Sequence, residues 1–212
     1  LPCTDRTLVH GSRSLSDRIR AMGETGDMSA LGEISKIRQA IGLAKVPAAL
    51  DWLEGMLAEG EPVVMFLYFK SVHEALVQGA KARGIKFGSI VGKTTQKERD
   101  RVIQAFENGE IDVIFGSTAL RENATLIRAR YTAHVDRWLV STDEDQADAR
   151  VDRIGQKRPT FHIYFHLDDT WDDEIHALVE EKRAGIEVVM DRTSVEKLLL
   201  HRILTNSRTH LR

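Results

Sequence analysis

Gln146, Arg150 and Arg153 in the run QADARVDRIGQ stand at i, i+4 and i+7, and on an α-helix that spacing sets all three on one face. Thr142 followed by Asp145 has the pattern of a capping box, while Gly155 and Pro159 suit the end of the helix and the chain beyond it, so a helix is predicted over Asp143–Arg153. Two guanidiniums at the exposed end of such a helix suit a planar, polyanionic partner, and a phosphate chain is the obvious one. The same spacing fits a surface helix whose arginines pair with Asp148, Asp152 or their neighbours, and the residues alone leave both readings open.

The elements that would position this face follow from hydropathy. Short apolar runs alternate with amphipathic segments, the signature of crossover units around a parallel sheet. Five strands are predicted, at Val63–Tyr68, Phe87–Val91, Asp112–Phe115, Ala133–Trp138 and Phe161–Phe165, with helices at Val72–Ala82, Gln96–Asn108 and Asp143–Arg153 between them. Two further helices are expected ahead of the core, the first striped by Leu31, Ile34, Ile37 and Ile41, the second with Pro47 in its first turn. Trp171–Arg183 and Ser194–Ile203 read as terminal helices. The expected division is a lead-in segment over 1–27, one α/β domain over 28–192, and a C-terminal helix with a mobile tail over 193–212.

Composition narrows the class. The chain has 212 residues, 42% of them apolar, enough for one ordinary core. A net charge of −2 argues against coating nucleic acid by bulk electrostatics, so any contact with it must come from placement. Cys3 is the only cysteine, which excludes an internal disulfide and a thiolate metal cluster and fits a reducing compartment. With no long apolar run and no leader pattern, the chain reads as soluble, intracellular and without a membrane partner. Leu1 in place of methionine suggests a fragment or processed product.

Other sites are weighed the same way. Lys70 and Ser71 follow the first predicted strand and Ser117 and Thr118 the third; strand ends on one edge of a parallel sheet are where such folds place ligands, and hydroxyls and amides there suit a phosphodiester backbone. Plain strand-to-helix caps are the alternative. GSIVGKTT at Gly88–Thr95 imitates a phosphate-binding P-loop, but only Ser89, Ile90 and Val91 lie between Gly88 and Gly92, one too few for the loop to wrap a phosphate. DEDQ at Asp143–Gln146 imitates an acidic magnesium box without the buried strand that must precede one, so its carboxylates read as helix-capping charges. His162, His166, Asp168 and Asp169 fall near one another, yet three converging metal ligands are not evident and capping or buried histidines fit better.

The run Gln146–Gln156 also resembles the last helicase motif of the Swi/Snf-type DNA translocases, superfamily-two ATPases with the pattern Q-A-x-x-R-x-x-R-I-G-Q. GLAKVPAALDWL at Gly42–Leu53, VVMFLYFKSVHEAL at Val63–Leu76, GKTTQKERDRVIQAFENGEIDVIFGST at Gly92–Thr118 and TWDDEIHALVEEK at Thr170–Lys182 fall in that family's order, and the lysine-valine-proline start of the second helix leans toward its annealing-helicase subgroup. The resemblance implies a three-layer RecA-like lobe, the second of two in a motor that hydrolyses ATP while moving along duplex or branched DNA. Arg150 and Arg153 would be its arginine fingers and Gln146 a nucleotide-orienting residue. Lys70, Ser71, Ser117 and Thr118 would grip the DNA backbone. ATP and magnesium would be held mainly by a first lobe, in the same or a separate chain, so this lobe would not be active alone. Ala119–Leu126, Leu139, Ser141 and Asp152 depart from the family pattern, and a degenerate or stand-alone non-catalytic binding module is the alternative. A chain without the family's usual large insertions would suit a cytoplasmic protein of a bacterium or phage.

Overall fold

The apolar runs become strands and the amphipathic segments become helices. The computed structural model describes residues 30–121, 124–139, 141–168 and 170–183. Five parallel strands, β1 (Val63–Phe66), β2 (Phe87–Ile90), β3 (Val113–Gly116), β4 (Tyr131–His134) and β5 (Phe161–Tyr164), form one sheet in the order β2-β3-β1-β4-β5. Among the described residues there are five α-helices: α1 (Ala30–Ala58), α2 (Lys70–Ala82), α3 (Gln96–Glu107), α4 (Ser141–Asp148) and α5 (Trp171–Arg183), with a 3-10 turn at Thr118–Arg121. Every strand of β1 and β3 is buried along its length, as expected for the centre of a parallel sheet covered on both faces.

The described residues fall into two compact units. One comprises Lys45–Arg137 and Thr142–Phe165 and holds the whole sheet; the other takes in the described parts of Leu1–Ala44, Trp138–Ser141 and His166–Arg212. All the residues singled out for nucleotide or DNA contact lie in the unit with the sheet.

Three expectations change in detail. The two helices predicted ahead of the core are one, α1, with Pro47 inside it. Proline there removes a backbone donor and crowds the carbonyl of Leu43; the buried side chains before and after it, Ile41 and Val46, then Ala49, Leu50 and Leu53, offset that cost. The fourth strand starts and ends earlier than its apolar run, at Tyr131–His134, because Thr132 and His134 are buried with polar partners of their own. The helix expected to reach Arg153 stops at Asp148 and continues as irregular turns. The lead-in over 1–27 and the terminal helix over 194–203 lie outside the described residues.

GKTT forms a turn rather than a phosphate loop. Thr94 Oγ1 accepts from the Val91 amide at 2.9 Å, and Thr95 caps α3, its hydroxyl accepting from the Glu98 amide at 3.3 Å. Both hydroxyls thus serve the start of the helix that carries Arg99.

Candidate functional site

The strand register brings the two halves of the proposed backbone grip together. β1 and β3 are neighbours with Phe66 opposite Gly116, so Lys70 and Ser71 at the start of α2 and Ser117 and Thr118 beyond β3 emerge from the same edge of the sheet. Gly116 makes the second of these exits possible: a Cβ there would lie 2.8 Å from Leu120 Cβ, so only glycine lets the 3-10 turn fold back onto the strand end. Ser117 Oγ accepts from the Ala119 amide at 3.2 Å, a bond that leaves its own hydroxyl proton available to donate. Lys70 is exposed and pairs with Glu74 at 3.2 Å, an i,i+4 surface pair weak enough to exchange for a phosphate.

Asp136 sets the path of this edge. Its Oδ1 accepts from the Tyr68 amide at 2.9 Å and its Oδ2 from the Phe69 amide at 2.7 Å, so one buried carboxylate fixes the turn that delivers Lys70. Asp136 falls inside the predicted fourth strand, and the sequence gives no local sign of this role. His73 also lies here, its Nε2 2.6 Å from Ser89 Oγ, with burial lowering its pKa.

Gln146, Arg150 and Arg153 do not share a helical face. Gln146 is exposed on α4, whereas Arg150 and Arg153 lie in the turns after it, where Asp148 O accepts from the amides of Val151 and Asp152 at 3.0 and 3.1 Å. These turns lie beside the segment that feeds β4: the Leu126 amide donates to Arg150 O at 2.9 Å, and Gln156 Nε2 donates to Ile127 O and Ala129 O at 3.0 and 2.7 Å. The arginine turns therefore lie beside the chain that enters β4, whereas Lys70, Ser71, Ser117 and Thr118 follow the ends of β1 and β3. Gly155 closes the turn at a φ of 108°, a conformation that side chains rarely adopt.

The two arginines are held differently. Arg150 is half-buried and donates only Nε, to Gln146 O at 3.2 Å, which leaves both terminal amino groups of its fork without a partner among the described residues. Arg153 is exposed, but its Nη1 donates to Ala124 O at 3.2 Å and to Thr125 Oγ1 at 3.1 Å. Neither makes an ion pair with Asp148 or Asp152 among the described residues, so the surface-pairing alternative does not hold there.

The acidic run is structural. Glu144 is fully buried and takes a two-pronged bond from Arg137, Nε to Oε1 at 2.9 Å and Nη2 to Oε2 at 2.7 Å. One turn on, Asp148 faces the sheet, where its Oδ1 accepts from Thr132 Oγ1 and His134 Nε2, each at 2.8 Å, and its Oδ2 from Tyr164 OH at 2.8 Å. An ionised carboxylate only accepts, so His134 carries its proton on Nε2. Burial pushes the Asp148 carboxyl up, but the bonds from His134 and His162 outweigh it and hold the group well below the ordinary carboxylate range. Its contribution to stability is thus present above the pKa of an unfolded aspartate and is lost only as the pH falls through the lowered value.

The histidines expected near one another diverge. His162 Nδ1 lies 2.8 Å from Thr132 Oγ1 and 3.2 Å from Asp148 Oδ1, while His166 Nε2 pairs with Asp173 at 2.7 Å and Asp168 at 3.6 Å. Asp169 lies outside the described residues.

Residues 45–155 match the helicase conserved C-terminal domain. The chain belongs to that helicase family. It is 26% identical over 166 residues to an uncharacterized ATP-dependent helicase of Mycoplasma pneumoniae, a match covering 77% of this chain and 16% of that protein. It is 29% identical over 147 residues to the DNA repair protein RAD5B of Arabidopsis thaliana, covering 68% of this chain and 12% of that protein. The helicase lobe thus spans less than a fifth of the length of these relatives. Its fold matches the SWI2/SNF2 ATPase core domain of Sulfolobus solfataricus with a TM-score of 0.76 at 17% identity, covering 99% of this chain and 47% of that one, as a RecA-like domain does. No helix among the described residues is long and apolar enough to cross a membrane.

Proposed function

We propose that this helicase lobe is the second motor lobe of an ATP-dependent DNA translocase, acting on duplex or branched DNA with a first RecA-like lobe from the same or another chain. The observation that carries this reading is the fork of Arg150, half-buried and fixed by Nε alone, with its two terminal amino groups left to meet a phosphate. Arg150 would stabilise charge that develops on the transferred phosphoryl group, with Arg153 beside it and Gln146 orienting the nucleotide. The donor set suits a triphosphate. It does not suit its magnesium ion, because Glu144 is committed to Arg137, so the metal would be held by the first lobe. Lys70, Ser71, Ser117 and Thr118 would hold the phosphodiester backbone at the opposite strand ends, and a cytoplasmic setting goes with this reading.

Two measurements test the division of labour. The purified 212-residue chain is expected to show negligible DNA-stimulated ATPase activity, since the hydroxyls of Thr94 and Thr95 are spent on a turn and a cap. Robust turnover abolished by Lys93→Ala would overturn the assignment and make GKTT a phosphate loop. DNA binding is expected to be weak and indifferent to sequence, with Lys70→Ala lowering the slope of log affinity against log salt by about one, the value for one lost phosphate contact. An unchanged slope would remove Lys70 from the grip.

A further inference from the structure

α4 docks on the sheet by charge rather than by an apolar stripe. Two carboxylates one turn apart, Glu144 and Asp148, face inward, with Ala147 the buried apolar residue between them. The receiving surface is a ladder across three strands: Phe66, His134 and Tyr164 stand at matched register positions, and their rings stack with centroids 5.2 and 4.8 Å apart. Thr132 and His162 are likewise opposite one another on β4 and β5. Asp148 gathers donors from both strands, so its carboxylate has no freedom to turn.

Asp148 is also the last residue of α4, and its backbone carbonyl accepts the amides of both Val151 and Asp152. The turn that carries Arg150 is therefore built directly on the residue that the sheet holds. From the far side the same turn is held by the Leu126 amide, which donates to Arg150 O, and by Arg153 Nη1, which donates to Ala124 O and Thr125 Oγ1; the first of these bonds reports on Arg150 itself. We propose that Asp148 is the positioning residue of the arginine turn, its carboxylate setting where Arg150 presents its fork. The functional half of this inference rests on the reading of Arg150 given above; the structural half does not.

The test separates the two. In the 212-residue chain, Asp148→Asn keeps the shape but places an amide among donors, and the expected result is hydrogen exchange at the Leu126 amide faster by about tenfold, the factor for losing one hydrogen bond to a charged group. Exchange at Val64 and Ile114, in β1 and β3, should rise far less. Thr132→Val, which removes one donor, should give a smaller change in the same direction and serves where Asp148→Asn does not fold. A Leu126 rate that stays unchanged, or rises only in step with Val64 and Ile114, overturns the proposal. Phe106→Leu, a core change in α3, provides the comparison for uniform destabilisation.

In a protein carrying both lobes, Asp148→Asn should lower kcat by about tenfold to a hundredfold, as expected for a displaced catalytic group, with the KM for ATP within about twofold. If Arg150→Ala cuts the rate and Asp148→Asn leaves it intact, the positioning role is overturned. If Arg150→Ala itself has no effect, the finger assignment fails, and the exchange result alone decides whether Asp148 holds the turn.

Discussion

Replacing Arg150 with alanine in a two-lobed protein is expected to lower the maximal ATPase rate by about a thousandfold or more, the range over which an arginine finger acts. Nucleotide affinity should fall far less, because the guanidinium meets charge that is fully developed only in the transition state. Arg150→Lys should recover little, since an ammonium cannot reproduce the planar fork whose two terminal amino groups are unengaged among the described residues. Melting temperature should hardly move, for the side chain contributes a single bond to Gln146 O at 3.2 Å. Arg153→Ala should behave differently, losing both rate and some local order, because its Nη1 ties the turn to Ala124 O and Thr125 Oγ1. Steady-state kinetics beside thermal melts decide the matter. A rate within a few-fold of the parent for Arg150→Ala would remove it from the mechanism, and unfolding in step with lost activity would make it structural.

Much of this lobe is legible in its sequence because its signals are local. Alternating apolar runs placed all five strands, and the spacing of Gly88 and Gly92 was enough to set aside a phosphate loop that Thr94 and Thr95 then explain as a turn and a cap. What stayed hidden depends on residues distant in sequence. The pattern Gln146, Arg150, Arg153 predicts one helical face, yet the helix stops at Asp148 and the chain turns beside the segment feeding β4. Nothing near Asp136 announces that its carboxylate will bind the amides of Tyr68 and Phe69, 68 and 67 residues away. The run DEDQ reads as charge at the start of a helix, and Asp143 and Glu144 do fall in the first turn of α4; what it does not announce is that Glu144 also meets Arg137 in the interior, a pairing that exists only once the chain has turned between β4 and α4. That Thr132 and His134 would be buried is likewise hidden until Asp148 supplies their partner.

That buried pair gives the largest expected effect on stability. Glu144 is fully inaccessible and the Arg137 side chain is 3% exposed, so Glu144→Ala takes a buried carboxylate away from a buried guanidinium, whose Cζ also lies 4.3 Å from the centre of the Tyr164 ring. Breaking one side of such a pair costs about 3–5 kcal/mol, a large part of the roughly 5–15 kcal/mol that holds an ordinary domain folded. Glu144→Gln should cost less, since the amide keeps the shape and one acceptor while losing the charge. Replacing both partners, Arg137→Met with Glu144→Leu, should recover most of the loss, because the desolvation of two charges offsets much of what their attraction contributes. Urea unfolding of the four proteins, followed by circular dichroism, measures each step. A Glu144→Ala chain within about 0.5 kcal/mol of the parent, the range of an ordinary surface substitution, would mean that the pair does not anchor α4. If the double variant restores stability but a two-lobed protein carrying it stays slow, with Arg150 intact, the pair acts by aiming α4 and the turn beyond it rather than by holding the lobe together.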